Sequence, residues 1–345
     1  MFSAQVCGHV CLDLIPTLSS APSTLPGALH DVGPLQARPG GCVANTGGDL
    51  HALGSRVTTV SRIGSDEAGH ILARLLTARD SAVHTLLTEH QAGTSYSIVV
   101  QSPGSDRTFW HHPGANNSFA VSDVNPRASD LLHLGYPPLL AGLTADGAVG
   151  WLDLFSEARA AGVTTSLDLA VVDSRSAAAT VDWPSVLARV LPLCDVISPS
   201  RDDLISALGW AIPASQRGLV DAARALLDRG VAVAMVSGGT VGLALAVAER
   251  HRLAKSRVML ANAAEWAGQT WWMPAPPVSA TGTTGAGDAA SAGLLYGLLT
   301  GRGPARSLMT AAAAAAHRVG DAERLPPYGD GTAYLTATGP FRMPD

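Results

Sequence analysis

The chain has 345 residues, 47% of them hydrophobic and 15% charged, with a formal net charge of −5 at pH 7. That balance excludes a disordered chain and argues against nucleic acid or an anionic membrane surface as a partner. No apolar run approaches the ~20 residues of a membrane helix, and no basic residue precedes Arg38, so a secretory leader is not expected and the cytoplasm is the expected location.

In chain order, "AQVCGHVCLDLIP" reads as one strand leading into a second, with Asp13 at the turn that follows the first. Residues 14–40 are rich in Pro, Gly, Ser and Thr. Residues 42–54 regain helical spacing and stop at Gly54. "SRVTTVSRIG" is a strand, and Asp66 can cap a helix running to about Arg79. Residues 94–112 flank "SPGSD" with β-branched and aromatic residues, which predicts a hairpin. Beyond it, strands at 130–135, 163–169, 194–198 and 231–236 alternate with helices at 146–161, from Asp202 and at 219–230. The four cysteines, 7, 11, 42 and 194, lack the paired spacing of zinc or redox motifs and read as reduced thiols.

Alternation of this kind predicts a mostly parallel sheet covered by helices on both faces. Length alone suggests about two domains, but no stretch resembles a tether. The expected organisation is therefore one α/β domain over 1–345, with a small β-rich lid formed by approximately 14–40 and 92–114. Ligands of such sheets sit at the carboxyl ends of the strands.

Two glycine clusters carry the chemistry. "TGTTGAGDAASAGLLYGLLTG" (281–301) places glycines around Asp288 at the start of a helix. Its unpaired N–H groups and dipole suit an anion such as a phosphoryl group. Ala289, Gly293 and Gly297 form a small-residue face on that helix. The fragment "GAGDAA" also matches a dinucleotide fingerprint, but no hydrophobic strand runs into it and the next acid is Asp321, beyond the expected ~20 residues. The second cluster, "RPGGCVANTGGDLHALG" (38–54), sets Gly40 and Gly41 before Asn45, an arrangement able to read hydroxyl groups. Lys255 is the one lysine and follows no glycine loop, so any phosphate would be handled by amides, arginines and a metal ion.

Together the two clusters resemble the signatures of the PfkB, or ribokinase-like, carbohydrate kinases. The likeness extends through "GHVCLDLIP", "GSDEAG", "RTFWHHPGAN" and "DLLHLG". The resemblance implies a ribokinase-like α/β fold and transfer of phosphate from ATP with Mg²⁺ to a small neutral sugar, a monovalent cation such as K⁺ being compatible. It further implies Asp288 as general base and the amides of Gly285, Ala286 and Gly287 as anion hole. Asp13, Gly40, Gly41 and Asn45 would bind the sugar; Ser237, Gly239, Gly242 and Thr283 would lie along the nucleotide. A homodimer through the lid would be ordinary for the family. The alternatives are a nucleoside kinase of the same family, with Trp110 offering an aromatic slot, and a catalytically silent sugar- or nucleotide-binding protein.

The chain departs from the family pattern in three respects. Gly282 replaces the usual Asp of the second signature. Ser200 and Asp203 stand where Asn-x-x-Glu commonly orders water around Mg²⁺, leaving Asp203 as the expected metal residue through water, or Asp202 with a shifted register. Cys42 and Cys11 lack the polar groups of the ribose-specific pattern. Among the remaining candidates, adjacent His111 and His112 on a strand point to opposite faces and cannot form a metal pair. Arg107 reads as a lid charge, Asp168 as a strand-end acid or a helix cap, and Trp271-Trp272 as core or nucleotide-flanking packing.

Overall fold

In the computed structural model, residues 2–23, 25–80, 83–102, 107–279, 282–320 and 339–344 are described. The strands are β1 (Ser3–Gly8), β2 (Cys11–Pro16), β3 (Leu35–Gly40), β4 (Arg56–Gly64), β5 (His84–Glu89), β6 (Tyr96–Val100), β7 (Thr108–His112), β8 (Leu131–Gly135), β9 (Thr164–Asp168), β10 (Val196–Ile197), β11 (Val233–Ser237), β12 (Leu243–Val247), β13 (Thr270–Met273) and β14 (Phe341–Arg342). Ten of them form one sheet in the order β14-β13-β12-β11-β10-β9-β8-β1-β4-β5. From β11 through β5 every pairing is parallel; β12, β13 and β14 add an antiparallel edge.

The helices are α1 (Gly48–Ala52), α2 (Glu67–Asp80), α3 (Val149–Ala160), α4 (Trp183–Val190), α5 (Arg201–Leu208), α6 (Gln216–Leu227), α7 (Arg250–Leu253), α8 (Arg257–Trp266), α9 (Ala286–Leu299) and α10 (Pro304–Val319). Side-chain alternation along β11 shows how the layers form. Ala234 and Val236 enter a core with α3, α4, α5 and α6, while Val233 and Met235 enter a second core with α8, α9 and α10. A strand buried on both faces has to be apolar throughout, as "VAMV" is.

Helices α9 and α10 pack closely because of the small-residue face. An added Cβ would stand 2.6 Å from the Ala311 backbone at Gly293 and within the Ser307 side chain at Gly297. This contact fixes the depth of α9, and with it the position of Asp288 in its first turn.

A second sheet of four strands, β3-β2-β6-β7, contains the expected hairpin as β6 and β7. Its turn, 103–106, lies outside the described residues. Asp13 lies within β2, paired with Arg38 of β3, and not in a turn. The stretch between Pro16 and Leu35 contains no strand among the described residues, so the β-rich part of 14–40 is confined to its two ends. Asp66 accepts the Gly69 amide at 2.9 Å as the expected cap of α2.

Candidate active site

Strands β1, β8, β9, β10 and β11 end side by side, and the polar residues at or just beyond their carboxyl ends converge. Gly8 pairs with Gly135, and Gly135 with Asp168. Gly8 has φ +124°, and an added Cβ there would overlap the Gly135 carbonyl oxygen; glycine permits this close crossing. His9 and Tyr136 follow directly, at the rim facing α9.

Asp288 is 2% exposed. It accepts three hydrogen bonds: from Tyr136 Oη at 2.8 Å, Thr46 Oγ1 at 3.0 Å and Asn45 Nδ2 at 3.1 Å. Burial pushes its carboxyl above the usual range; the three donors and the Arg318 guanidinium pull it back. Asn45 and Thr46 reach it from a wide helical turn, Val43–Gly47, just before α1. Behind them the Asp49 carboxylate is held by Arg79 at 2.9 Å and by Arg318 at 3.0 Å. Arg79 also donates to the Ala44 carbonyl, so this buried ion cluster fixes the turn that carries Asn45 and Thr46.

Two further acids share this region. Asp168 accepts from the Leu169 amide at 2.9 Å and from Ser291 Oγ of α9 at 3.2 Å; Ser291 Oγ also lies 2.8 Å from Ser198 Oγ. Burial first, then the Asp288 and Asp203 charges, raise Asp168 well above the carboxylate range. Asp203 accepts the Ser200 amide at 2.7 Å, and Ser200 Oγ accepts the Asp203 amide, closing a capping box at the start of α5. Burial lifts Asp203 to about 6, against those bonds, and Asp202 and Asp288 add to the rise. The Asp288 charge raises both Asp168 and Asp203, and these two buried carboxyls offer oxygen donors of the kind a hard divalent cation such as Mg²⁺ takes.

The four-stranded sheet faces this region with a single cross-strand row. Register places Arg38, Asp13, Ser97 and His111 side by side on β3, β2, β6 and β7. Asp13 is buried, hydrogen-bonded by Ser97 and by Cys11 Sγ at 3.3 Å; burial raises it to about 6. At Gly40 an added Cβ would stand 2.3 Å from Asp13 Oδ2, so only glycine leaves this carboxylate its place. Gly41 has φ +85° and packs against His9. As expected of neighbours on a strand, His111 and His112 diverge: His111 meets Ser97 Oγ at 3.0 Å, while His112 lies against the Tyr96 ring.

Comparison with known proteins decides the family. A profile described as pfkB family carbohydrate kinase matches residues 1–323. The chain belongs to the pfkB family. It is thus a kinase that phosphorylates an alcohol acceptor. It is 27% identical over 313 residues to a 1-phosphofructokinase of Xanthomonas campestris pv. campestris, covering 88% of each. It is 26% identical to an aminoimidazole riboside kinase of Salmonella typhimurium, covering 86% of this chain and 81% of that one. Among solved structures, an Arabidopsis thaliana ribokinase complexed with ribose and ATP superposes with a TM-score of 0.70 at 19% identity, covering 97% of both chains. Aminoimidazole riboside kinase from Salmonella enterica gives 0.68 at 23%, covering 97% and 99%. These structural likenesses establish the ribokinase-like fold.

The other residues singled out from the sequence lie outside this cluster or at its edge. Gly285 has φ +76° and opens α9, and an added Cβ would press on Arg318 and Asn45 at 3.2–3.3 Å. Gly287 faces open space. The Ala286 amide already donates to the Thr283 carbonyl at 3.2 Å, closing a turn across the expected anion hole. Ser237 ends β11 and bridges to Ser200; Gly239 and Gly242, both with positive φ, shape the turn between β11 and β12. Trp271 and Trp272 belong to β13, with Trp272 stacked on Phe341.

Asn45 joins the Asp288 cluster rather than the Asp13 row. Tyr136, Thr46, Ser97 and His9 were not singled out from sequence. Tyr136 holds φ +65°, a strained conformation for a side chain of this size; its only linear signal is a Gly-Tyr-Pro-Pro run after a strand. Ser97 and His9 are recognisable only once β2, β6 and β7 are in register.

Proposed function

We propose that the protein is an ATP-dependent kinase of a small neutral sugar, with Asp288 as general base. The observation that carries this reading is the burial of Asp288 at the N-terminus of α9, between amide N–H groups and two side chains, Asn45 and Thr46, fixed by a buried ion cluster. A carboxylate held above its usual range by burial is a stronger base for the attacking hydroxyl, yet it stays ionised while hydrogen bonds offset the burial. The amides of Gly285, Ala286 and Gly287 would receive the γ-phosphoryl oxygens, the Ala286 amide exchanging the Thr283 carbonyl for phosphate. Asp13 would accept hydroxyl hydrogen bonds from the sugar, with Gly40 and Gly41 allowing close approach. Ser237, Gly239, Gly242 and Thr283 would border the nucleotide. Asp203 and Asp168 would hold Mg²⁺, which when bound neutralises charge on the ATP phosphates.

A neutral acceptor is favoured over a sugar phosphate because basic residues are scarce around Asp13, with Arg38 beside it on β3 and Arg107 near enough to lower its carboxyl. Burial keeps His9 and His111 below the usual imidazole range, His111 at about 4. Trp110, 57% exposed on the outer face of the small sheet, points away from the Asp13 row, which weakens the nucleoside reading. The same exposed face, with Tyr96 beside Trp110, supports a homodimer through the lid. Among the described residues no helix is long and apolar enough to cross a membrane. The test is ADP formation from ATP and Mg²⁺ against neutral sugars, sugar phosphates and nucleosides. Turnover with a neutral sugar alone supports the reading; turnover confined to either other class replaces it.

A further inference from the structure

Between the end of β1 and the inner face of the small sheet, three side chains meet that the proposed phosphoryl transfer does not use. His9 Nε2 and His111 Nε2 are 3.3 Å apart, and Cys11 Sγ completes a group whose ligand atoms all lie within 4.8 Å of one another. We infer that His9, Cys11 and His111 form a binding site for a borderline-soft transition cation such as Zn²⁺, separate from the carboxylate set suited to Mg²⁺.

The geometry carries this assignment. Tetrahedral Zn–N bonds of about 2.0–2.1 Å and a Zn–S bond of about 2.3 Å put nitrogen pairs ~3.3 Å apart and N–S pairs ~3.6 Å apart. The two imidazole nitrogens already hold that separation, and Cys11 has to close by about 1 Å, within the reach of a χ1 rotation. His111 has the outer partner of a metal-ligating histidine: Ser97 Oγ lies 3.0 Å from its Nδ1, fixing the ring with Nε2 toward His9. His9 turns its Nε2 toward that of His111, while its Nδ1 is buried with no hydrogen-bond partner. Both imidazoles are kept neutral by burial, as ligation requires. Asp13 borders the group, its Oδ1 3.3 Å from Cys11 Sγ. On binding, the Cys11 thiol proton leaves to solvent and a thiolate–metal bond forms, its negative charge offset by the cation. Because His9 lies beyond β1 and His111 on β7, the cation would also tie the small sheet to the large one.

Binding does not depend on the kinase reading. A consequence that does rest on it is competition between Zn²⁺ and the sugar, since both would engage Asp13. The experiment is titration of chelator-treated full-length protein with Zn²⁺ and with Co²⁺, alongside Cys11→Ser and His111→Asn. One equivalent should bind to the wild type, with a thiolate-to-Co²⁺ charge-transfer band and tetrahedral visible bands. Affinity should fall by about a hundredfold or more in each variant, since losing even an outer partner costs 10–100-fold. No stoichiometric binding, a Co²⁺ spectrum without the thiolate band, or binding unchanged in variants that melt like the wild type would each overturn the assignment. Should a variant not fold, the wild-type stoichiometry and Co²⁺ spectrum decide alone. Zn²⁺ binding without competition against sugar would leave the metal site standing and remove only its overlap with the sugar pocket.

Discussion

Asn45 and Asp288, 243 residues apart in sequence, are joined by a 3.1 Å hydrogen bond from Asn45 Nδ2 to Asp288 Oδ2. The bond links the two glycine-rich segments directly: one supplies the acid, the other the amide that orients it. Tyr136 donates to the same oxygen at 2.8 Å, so Oδ2 is doubly held while Oδ1 receives Thr46.

Removing the Tyr136 hydroxyl tests that orientation. In Tyr136→Phe one of the donors that lower Asp288 is lost, so its carboxyl rises further and the acid limb of the kcat profile moves to higher pH. A hydrogen bond to a charged group contributes about 1.5–3 kcal/mol to stability, so the Tm should fall by a few degrees, while kcat at neutral pH falls through loss of the base's orientation. A profile that does not move would show that Tyr136 has no hold on the base.

Activity and stability should respond oppositely to acid. Asp13 and Asp203 are both raised to about 6 by burial. Their charged forms are needed for sugar and cation, so kcat/KM should drop as pH falls through about 6. In the folded state these groups bind protons more readily than in the unfolded chain. The stability they contribute is therefore complete below their unfolded value near 4 and is lost as pH rises through about 6. Chemical denaturation at pH 5 and pH 7.5, compared between wild type and a double Asp13→Asn, Asp203→Asn variant, isolates this contribution. It should favour the lower pH.

Asp203→Asn keeps the size of the side chain and an oxygen able to accept the Ser200 amide, so α5 should stay capped. A negative charge is removed from the carboxylate set that also holds Asp168 and Asp288. Half-saturating Mg²⁺ should rise several-fold in ADP-formation assays, with little change in Tm. An unchanged Mg²⁺ requirement would assign Asp203 to capping alone.

Gly293→Ala tests the packing that seats Asp288. Alanine improves helix propensity by about 1 kcal/mol, but its Cβ would stand 2.6 Å from the Ala311 backbone, which cannot rotate away. Overpacking of this kind costs about 1–3 kcal/mol, so the net effect should be destabilising. Differential scanning calorimetry should show a lower Tm; a rise would mean that α9 and α10 separate without penalty.

Much of this was legible in the linear sequence because the decisive signals are local. Alternating strand and helix periods pointed to the parallel sheet, and the small face of α9 marked it for close packing, though not against which helix. Gly40, Gly41 and Asp288 stand out because two glycine clusters, each ambiguous alone, occur together in the order of the family signatures. The rest depends on register and long-range packing. Asp13 looked like a turn residue because its neighbours Cys11 and Leu12 do not reveal pairing with Gly40 and Pro39. Ser97 and His111 meet Asp13 only when three strands align. Tyr136 has no periodic signature, and the Arg79–Asp49–Arg318 cluster joins residues from three helices. Asp168 reads in sequence equally as a cap or a functional acid, because its neighbours Ser291 and Asp203 come from distant segments.

The most direct test of the central claim is sugar-phosphate formation by Asp288→Asn beside the wild type, with the best neutral sugar and saturating ATP and Mg²⁺. Loss of a positioned general base costs roughly 10²–10⁴ in rate, so kcat should fall by that factor while the melting temperature and sugar KM stay close to wild type. Wild-type turnover by a correctly folded Asp288→Asn protein would contradict the assignment of Asp288 as the base.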